Sequence, residues 1–371
     1  MKKWFVIAAA LCSAFVVADA GAGNGKPINT GSANSLTLAV FGDWPYSQAL
    51  LDVAPLLIHS INSDSRVRLV MHVGDIHSGS MPCTSEWNQG IFDLFQQFKD
   101  PLVYTPGDNE WTDCHRPVEG NKNPLTELEN VRNLFFANPG YTLGGRKKRV
   151  LSQAEVDDPA HAADAEFVEN VIWEESKVLF VTLNVPGSNN GTVPWSAPYN
   201  TPADKAAQAL AVADRTAADI RWLEQAFALA EENGAVAVLI GIQANMWDPA
   251  ALPSPPNDGL SAYKPIVQRL AELSLDFEGP VLLINGDTHR FQDDRPLNNL
   301  DTSTDIGKMN VNLYDIDTPV PNLRRITVQG STNKPREWLR LTINPRVAVP
   351  DVFNVFSVEN VIYCDDTTCP L

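Results

Sequence analysis

The sequence predicts an α/β fold arranged as a four-layer α-β-β-α sandwich, two mixed sheets flanked by helices, with a polar site at the C-terminal ends of the strands. Two observations predict it. Between residues 36 and 105, short apolar runs alternate with helical patterns in a βαβαβ succession, which implies mainly parallel pairing. In addition, four apolar runs stop at Gly-Asp: LTLAVFGD at Asp43, VRLVMHVGD at Asp75, LVYTPGD at Asp108 and VLLINGD at Asp287. Ending a buried strand on glycine and then offering a carboxylate is one way to build a site at strand ends. Several carboxylates converging there would repel one another unless a cation sat among them, so the pattern points to a metal site.

The elements follow in order. A strand at about 36–42 leads to a helix at 48–62, a strand at 67–73, a helix at 85–98 and a strand at 102–105. Residues 112–165 show weak periodicity and several turn formers, and their basic cluster Arg146-Lys147-Lys148-Arg149 reads as a solvated loop face. A second strand-rich segment runs from Phe167 through Lys177–Gly187, followed by Asn189 and Asn190, which read as turn formers, as does Asn184. Thr201-Pro202 opens a long helix, since Thr is a good N-cap and Pro fits the first turn. Ile220, Leu223, Phe227 and Ala230 share one face of that helix, and Gly234 suits its stop. A buried strand at 235–241, a helix at about 260–275 and the strand ending at Asp287 come next. From Val311 onward the chain looks strand-like. Packing two sheets together with helices outside buries all these strands.

The N-terminus reads as an export signal over residues 1–20: Lys2 and Lys3, an apolar stretch from Trp4 to Val17, then Ala18-Asp19-Ala20 as a cleavage site. An uncleaved anchor is the alternative. Residues 21–35 read as a flexible start, and 36–371 as a single domain, secreted or periplasmic, with no membrane span after cleavage. The formal net charge of −17 repels nucleic acid and anionic lipid, so no nucleic-acid binding is expected. Beyond the signal lie Cys83, Cys114, Cys364 and Cys369. An even count in an exported chain favours two disulfides, Cys83–Cys114 tying two site loops and Cys364–Cys369 closing a short loop. A four-Cys zinc site is the rival, but the spacings lack paired CxxC.

The order of motifs resembles the calcineurin-like metallophosphoesterase superfamily, which includes the purple acid phosphatases. FGDWPY, MHVGDIHSG, TPGDNEW, LIGIQAN and INGDTHRF stand in the order of its five motifs, over roughly residues 36–290. The resemblance implies that Asp43 is a carboxylate of the first metal, Asp75 bridges two metals, and His289 is a further ligand of the first. For the second metal it sets Asp108 where the family has Asn, and Gln243 and Asp287 where it has His. Glu110 keeps the acidic end of the third motif and is expected behind the ligands. Two divalent cations are thus implied. Oxygen donors in place of imidazole favour Mn²⁺ or Mg²⁺, with Ca²⁺, Zn²⁺ or Fe as alternatives.

What the resemblance implies chemically is in-line attack of a metal-activated hydroxide on a small phosphoester, with no covalent enzyme intermediate. Asn109 stands where the family has the His that assists the leaving group. Another acid could replace it, the metals alone could suffice, or the protein could bind without turnover as an interaction module on a degenerate site. His77 and His115 are the imidazoles on the relevant loops, and His115 is the favoured acid. His72 reads as structural, and His59 and His161 as surface residues. Trp44 and Tyr46 are expected to wall the pocket, with Tyr46 ligation as the lesser alternative, and Arg290 is a candidate anion contact. A serine hydrolase is disfavoured because no GxSxG elbow is present.

Overall fold

In the computed structural model, residues 34–252, 259–346, 353–365, 367 and 369 are described. The export signal and nearly all of the expected flexible start lie outside the described residues. One sheet has five strands in the order β12-β11-β1-β2-β3, formed by β1 (Leu36–Phe41), β2 (Val67–His72), β3 (Leu102–Tyr104), β11 (Glu337–Ile343) and β12 (Phe356–Ile362). The other has seven, ordered β4-β5-β6-β7-β8-β10-β9, from β4 (Leu151–Ser152), β5 (Val171–Glu175), β6 (Val178–Thr182), β7 (Ala237–Gly241), β8 (Val281–Asn285), β9 (Gln292–Asp294) and β10 (Leu323–Thr327). Each is mixed: β1, β2 and β3 run parallel, as do β6, β7, β8 and β10, while the remaining pairs are antiparallel.

Alternation along the strands builds three apolar layers. Leu38, Val40, Leu69 and Met71 of the first sheet meet Phe180, Leu239, Leu282 and Ile284 of the second, so the sheets pack face to face. The opposite side chains, Ala39, Phe41, Val70 and Tyr104, cover Leu57, Ile61, Ile91, Phe95 and Val131 on helices Ala54–Ser63, Ser85–Phe95 and Pro124–Phe135. Val181, Ile240 and Leu283 do the same against Trp222, Phe227, Val267 and Leu270 on helices Pro202–Glu232 and Lys264–Phe277. The result is the four-layer sandwich.

The long helix begins as expected. Thr201 Oγ1 accepts from Asp204 N at 3.2 Å and the Asp204 carboxylate accepts from Thr201 N at 3.0 Å, a reciprocal cap. Beyond its end, Gly234 takes φ 63°. On the buried face of this helix Asp219 accepts from Asn170 near Arg215, and burial outweighs the guanidinium to push its carboxyl up to about 8. The basic cluster is spent on neighbouring acids, with Arg146, Lys148 and Arg149 paired to Asp100, Glu175 and Glu155.

Three segments differ from the sequence reading. The chain at 48–62 is broken into Gln48–Asp52 and Ala54–Ser63, where Pro55 lacks the N–H to continue one ladder. Pro124–Phe135 is a helix in the stretch of weak periodicity, capped by Asn123 Oδ1. Residues 309–313 form a π-helical turn instead of a strand, and pairing resumes only at Leu323.

Both cysteine pairs are disulfides, Cys83–Cys114 with Cα atoms 5.8 Å apart and Cys364–Cys369. No helix among the described residues is long and apolar enough to cross a membrane. Loop-closure entropy for a separation of 31 residues gives the first bridge about 3–4 kcal/mol. The Cys83→Ser/Cys114→Ser double variant should lose about that much in denaturant unfolding, and an unchanged midpoint would show that the loops are held by other contacts.

Candidate metal centre

Both sheets point the C-terminal ends of parallel strands at one place. Asp43, Asp75 and Asp108 follow β1, β2 and β3, Gln243 follows β7 and Asp287 follows β8. The join between sheets is direct: Asp43 Oδ1 accepts the N–H of Asp287 at 2.8 Å, across 244 residues. Gly107 and Gly286 explain the Gly-Asp pattern. A Cβ on Gly107 would lie 2.0 Å from Asp75 Oδ1, and one on Gly286 2.2 Å from Asp43 Oδ2. Only a residue without a side chain lets the neighbouring carboxylate descend so far. Asp43, Asp75, Asp287 and His289 all take positive φ, a costly backbone for side-chain-bearing residues and one that clusters at functional sites.

Each carboxylate has its own partners. Asp75 Oδ2 accepts from Tyr46 Oη at 2.7 Å and Asn109 Nδ2 at 2.9 Å, and its Oδ1 from Asn109 N at 3.2 Å. Asp108 accepts from Gln243 Nε2 at 3.2 Å and Ser188 Oγ at 2.9 Å, while Asp287 Oδ2 takes Asn245 N at 2.9 Å. Asp43 Oδ2 is buried with no hydrogen-bond partner. His289 Nε2 stands 3.5 Å from Asp43 Oδ1, and its Nδ1 faces Thr332 Oγ1 at 2.8 Å and Thr332 N at 3.1 Å. Behind them Glu110 Oε1 gathers Tyr104 Oη at 2.5 Å, Gly107 N at 2.8 Å and Asp75 N at 3.2 Å, fastening the second and third loops together.

The electrostatics are lopsided. Burial, then the charge of Asp287, lifts Asp43 well above the carboxylate range; burial, then Asp108, does the same to Asp75. Burial and Asp108 push Asp287 up to about 7, and burial raises Glu110. The cation hydrogen-bonded into this cluster is Arg116, paired with Asp113 at 2.5 Å and Glu119 at 3.3 Å. Burial depresses all four nearby imidazoles, His72, His115 and His289 to about 4, so they are neutral at pH 7.

The structure brings Asp43, Asp75, Asp108, Gln243, Asp287 and His289 into one network through these contacts and the Gln243–Gly187 bond at 2.5 Å. Asn109 is in it too, its Nδ2 also within 3.0 Å of Tyr46 Oη and of the His77 carbonyl. His77 and His115 look elsewhere. His77 Nδ1 meets the Ser78 carbonyl at 3.1 Å, and its ring lies by the Cys83–Cys114 bridge, ligand-type atoms within 4.8 Å of one another. His115 Nδ1 accepts from Ser196 N at 2.9 Å. His72 is structural, bonded to the Trp44 carbonyl at 3.0 Å, and His59 and His161 are exposed. Tyr46 does more than wall the site: its ring packs edge-on to His289, 4.8 Å between centroids, while its hydroxyl joins Asp75. Arg290 is exposed.

Ser188 and Asp113 were not legible as site residues. Ser188 Oγ lies 2.9 Å from Asp108, 2.8 Å from Asp113 and 3.3 Å from Arg116 Nη2. It opens a left-handed turn, Ser188, Asn189 and Asn190 having φ 51°, 53° and 57°. Ser188, Asn189 and Asn190 in NVPGSNNG signal a turn, but not its hand.

Metal-free stability should fall as pH rises from about 7.5 to 9. Above about 7.5 the imidazoles, whose ordinary value is about 6.5, are neutral in both folded and unfolded chains. Asp287 and Asp219 still hold protons up to about 7 and about 8 in the fold. An unfolded chain has released those protons by about pH 5, so the stability conferred by a raised carboxyl is lost as pH climbs through its folded value. Thermal unfolding in chelator across this window should show a falling midpoint, and a flat or rising one would mean the carboxylates are already charged.

A family model for calcineurin-like phosphoesterases matches residues 36–240, which covers Asp43, Asp75 and Asp108 and stops short of Gln243, Asp287 and His289. No curated protein matches. Among solved structures, GAP50, the anchor in the inner membrane complex of Plasmodium, aligns with TM-score 0.44 at 10% identity, over 89% of this chain and 85% of that one. Purple acid phosphatase PPD1 from yellow lupin (Lupinus luteus) seeds aligns with TM-score 0.39 at 8% identity, over 89% of this chain and 54% of that one. Likenesses this distant decide nothing about activity. Matched over more than half of its length, the chain belongs to the calcineurin-like phosphoesterase family, whose members generally bind divalent metals at a dinuclear site.

Proposed function

We propose that this protein is an exported, divalent-cation-dependent hydrolase of small phosphoesters. One observation carries the reading: a fully buried carboxylate oxygen, Asp43 Oδ2, is left without a hydrogen-bond donor among crowded strand-end acids. An orphaned anionic oxygen in such a place costs several kcal/mol unless a cation meets it, on the order of the penalty for burying an unpaired charge. His289 Nε2, 3.5 Å from Asp43 Oδ1, is spaced to share an ion with it at ordinary ligand distances of about 2.0–2.2 Å. Asp43, Asp75 and His289 would hold it, with Asp108, Gln243 and Asp287 as the remaining donor set. Disulfides and the Lys2-Lys3 apolar start support export.

When bound, a divalent cation lowers the pKa of a coordinated water and offsets charge on phosphoryl oxygens. The chain's own part is placement. Tyr46 and Asn109 fix the Asp75 carboxylate through Oη and Nδ2, and Thr332 orients the His289 ring. Glu110 keeps the two loops in register. We assign leaving-group protonation to neither His77 nor His115, because burial keeps both neutral and neither donates a hydrogen bond to a site carboxylate, their Nδ1 atoms meeting main-chain groups. Hydrolysis then favours substrates whose leaving oxygen needs no proton.

A non-catalytic, interaction-module reading has its own support: Asn109 and Gln243 spend their amide nitrogens on Asp75 and Asp108. Turnover of an aryl phosphoester with added Mn²⁺ decides between them. We expect activity with Mn²⁺ or Mg²⁺ above that with Zn²⁺, falling at least about 10²-fold in Asp43→Asn, the scale of losing one preorganised electrostatic contact. His115→Ala should leave the ratio of aryl to alkyl phosphoester rates unchanged. No turnover with any of these metals, in protein that still binds them, would favour the interaction module.

A further inference from the structure

We infer that this chain holds one divalent cation, because Gln243 and Ser188 close the second position with hydrogen-bond donors. The inference rests on the proposed cation-binding reading and concerns how many ions the site takes.

The orientation of Gln243 is not free. Its Oε1 accepts the N–H of Gly187 at 2.5 Å, and Gly187 is buried, so reversing the amide would set N–H against N–H and strand a main-chain donor. The nitrogen therefore faces Asp108, 3.2 Å from Oδ1. An amide nitrogen offers protons and no lone pair, so it satisfies a carboxylate and repels a cation. The second Asp108 oxygen is met by Ser188 Oγ at 2.9 Å, and Asp287 Oδ2 by Asn245 N at 2.9 Å. Each side chain expected at the second position, Asp75 included, thus has at least one oxygen already engaged by N–H or O–H, and Gln243 alone turns a nitrogen towards it.

The donors are held there by strained backbone. Ser188, Asn189 and Asn190 all lie in the left-handed region, which residues with a Cβ rarely enter in succession. Arg215, buried behind the turn, grips it through the Asn190 carbonyl at 2.6 Å and Oδ1 at 2.9 Å, and Asn189 Oδ1 takes Ala262 N at 2.9 Å. This conformation is what brings Gly187 N to Gln243 and Ser188 Oγ to Asp108. By contrast, Asp43 Oδ2 is the one oxygen of the four Gly-Asp carboxylates that is buried without a partner. The unmet demand for positive charge is on the first position.

The test is the number of Mn²⁺ ions bound per full-length, chelator-stripped chain, by equilibrium dialysis with metal analysis and by the Mn²⁺ electron-paramagnetic-resonance spectrum. Wild type should bind one ion with the spectrum of an isolated centre. Gln243→Ala should still bind one. Gln243→Glu, which exchanges the amide protons for lone pairs at constant size, should bind two and show spin coupling; circular dichroism would confirm that each variant is folded. Two ions in wild type, dropping to one in Gln243→Ala, would overturn the inference and leave the cation-binding reading standing. A Gln243→Glu chain that stays at one ion would also overturn it. No ion in folded wild type would instead remove the reading on which it rests.

Discussion

Crowding of like charge at the strand ends is the constraint to which the surrounding structure answers. Asp43, Asp75, Asp108 and Asp287 share one network with Glu110 close behind, and burial denies water to all but the half-buried Asp287. Left to themselves they would take up protons or push apart. The fold prevents the second by making each loop a fixture of the next: Asp43 N bonds the Gly74 carbonyl at 2.8 Å, Gly286 N the Gln243 carbonyl at 3.0 Å, and Ser331 N the Asp43 carbonyl at 3.0 Å. Glycines remove the side chains that would hold the loops apart, and the Cys83–Cys114 bridge closes the rim. Strained φ angles at four of the site residues are the cost of that geometry, stored where a bound ion could offset it.

Around the network, two kinds of answer to the charge problem stand side by side. Near Asp108 and Asp113 the protein supplies its own donors, Ser188, Gln243 and the Arg116 guanidinium. Near Asp43 it supplies only the Asp287 N–H and a neutral imidazole, and one oxygen stays bare. The family resemblance implies the same division, with amide and carboxylate at Gln243 and Asp287 on one side and His289 on the other. Composition alone does not distinguish a rebuilt metal position from one filled by hydrogen bonds. The main-chain partner of the amide is the observation on which the one-ion inference rests.

What could be read from the sequence was whatever depends on local pattern. The Gly-Asp stops, the βαβαβ run, the Thr201-Pro202 start and the pairing of Cys83 with Cys114 each follow from residues close in the chain or from a count. What escaped depends on distant partners. Ser188 looks like a turn former until Asp108, 80 residues earlier, is seen to hold it. Gln243 reads as an oxygen donor, and nothing local shows that Gly187, 56 residues earlier, donates its N–H to that oxygen. His115 sits on the right loop, and Ser196, 81 residues on, donates to its Nδ1. The stretch at 309–313 has the apolar and polar alternation of a strand, but no neighbouring strand edge is offered there and it coils instead. Pro124–Phe135 was hidden because only one side of it is buried, by Leu128, Val131 and Phe135, among many charged neighbours.

The bond from Asp287 N to Asp43 Oδ1 joins residues 244 positions apart, and Ser331 closes over Asp43 from farther still. A polypeptide emerging from the ribosome, or threading through a translocation pore, therefore has the first carboxylates long before it has the residues that enclose them. The enclosed carboxylate cluster is complete only when the last strands dock, a late and slow kind of contact in folding. Affinity orders such as that of the first-row divalent metals are the same everywhere, but ion availability is not. An ion held as proposed would accordingly be set by the compartment in which folding finishes, and a chain refolded in a test tube would draw on the metals of its buffer.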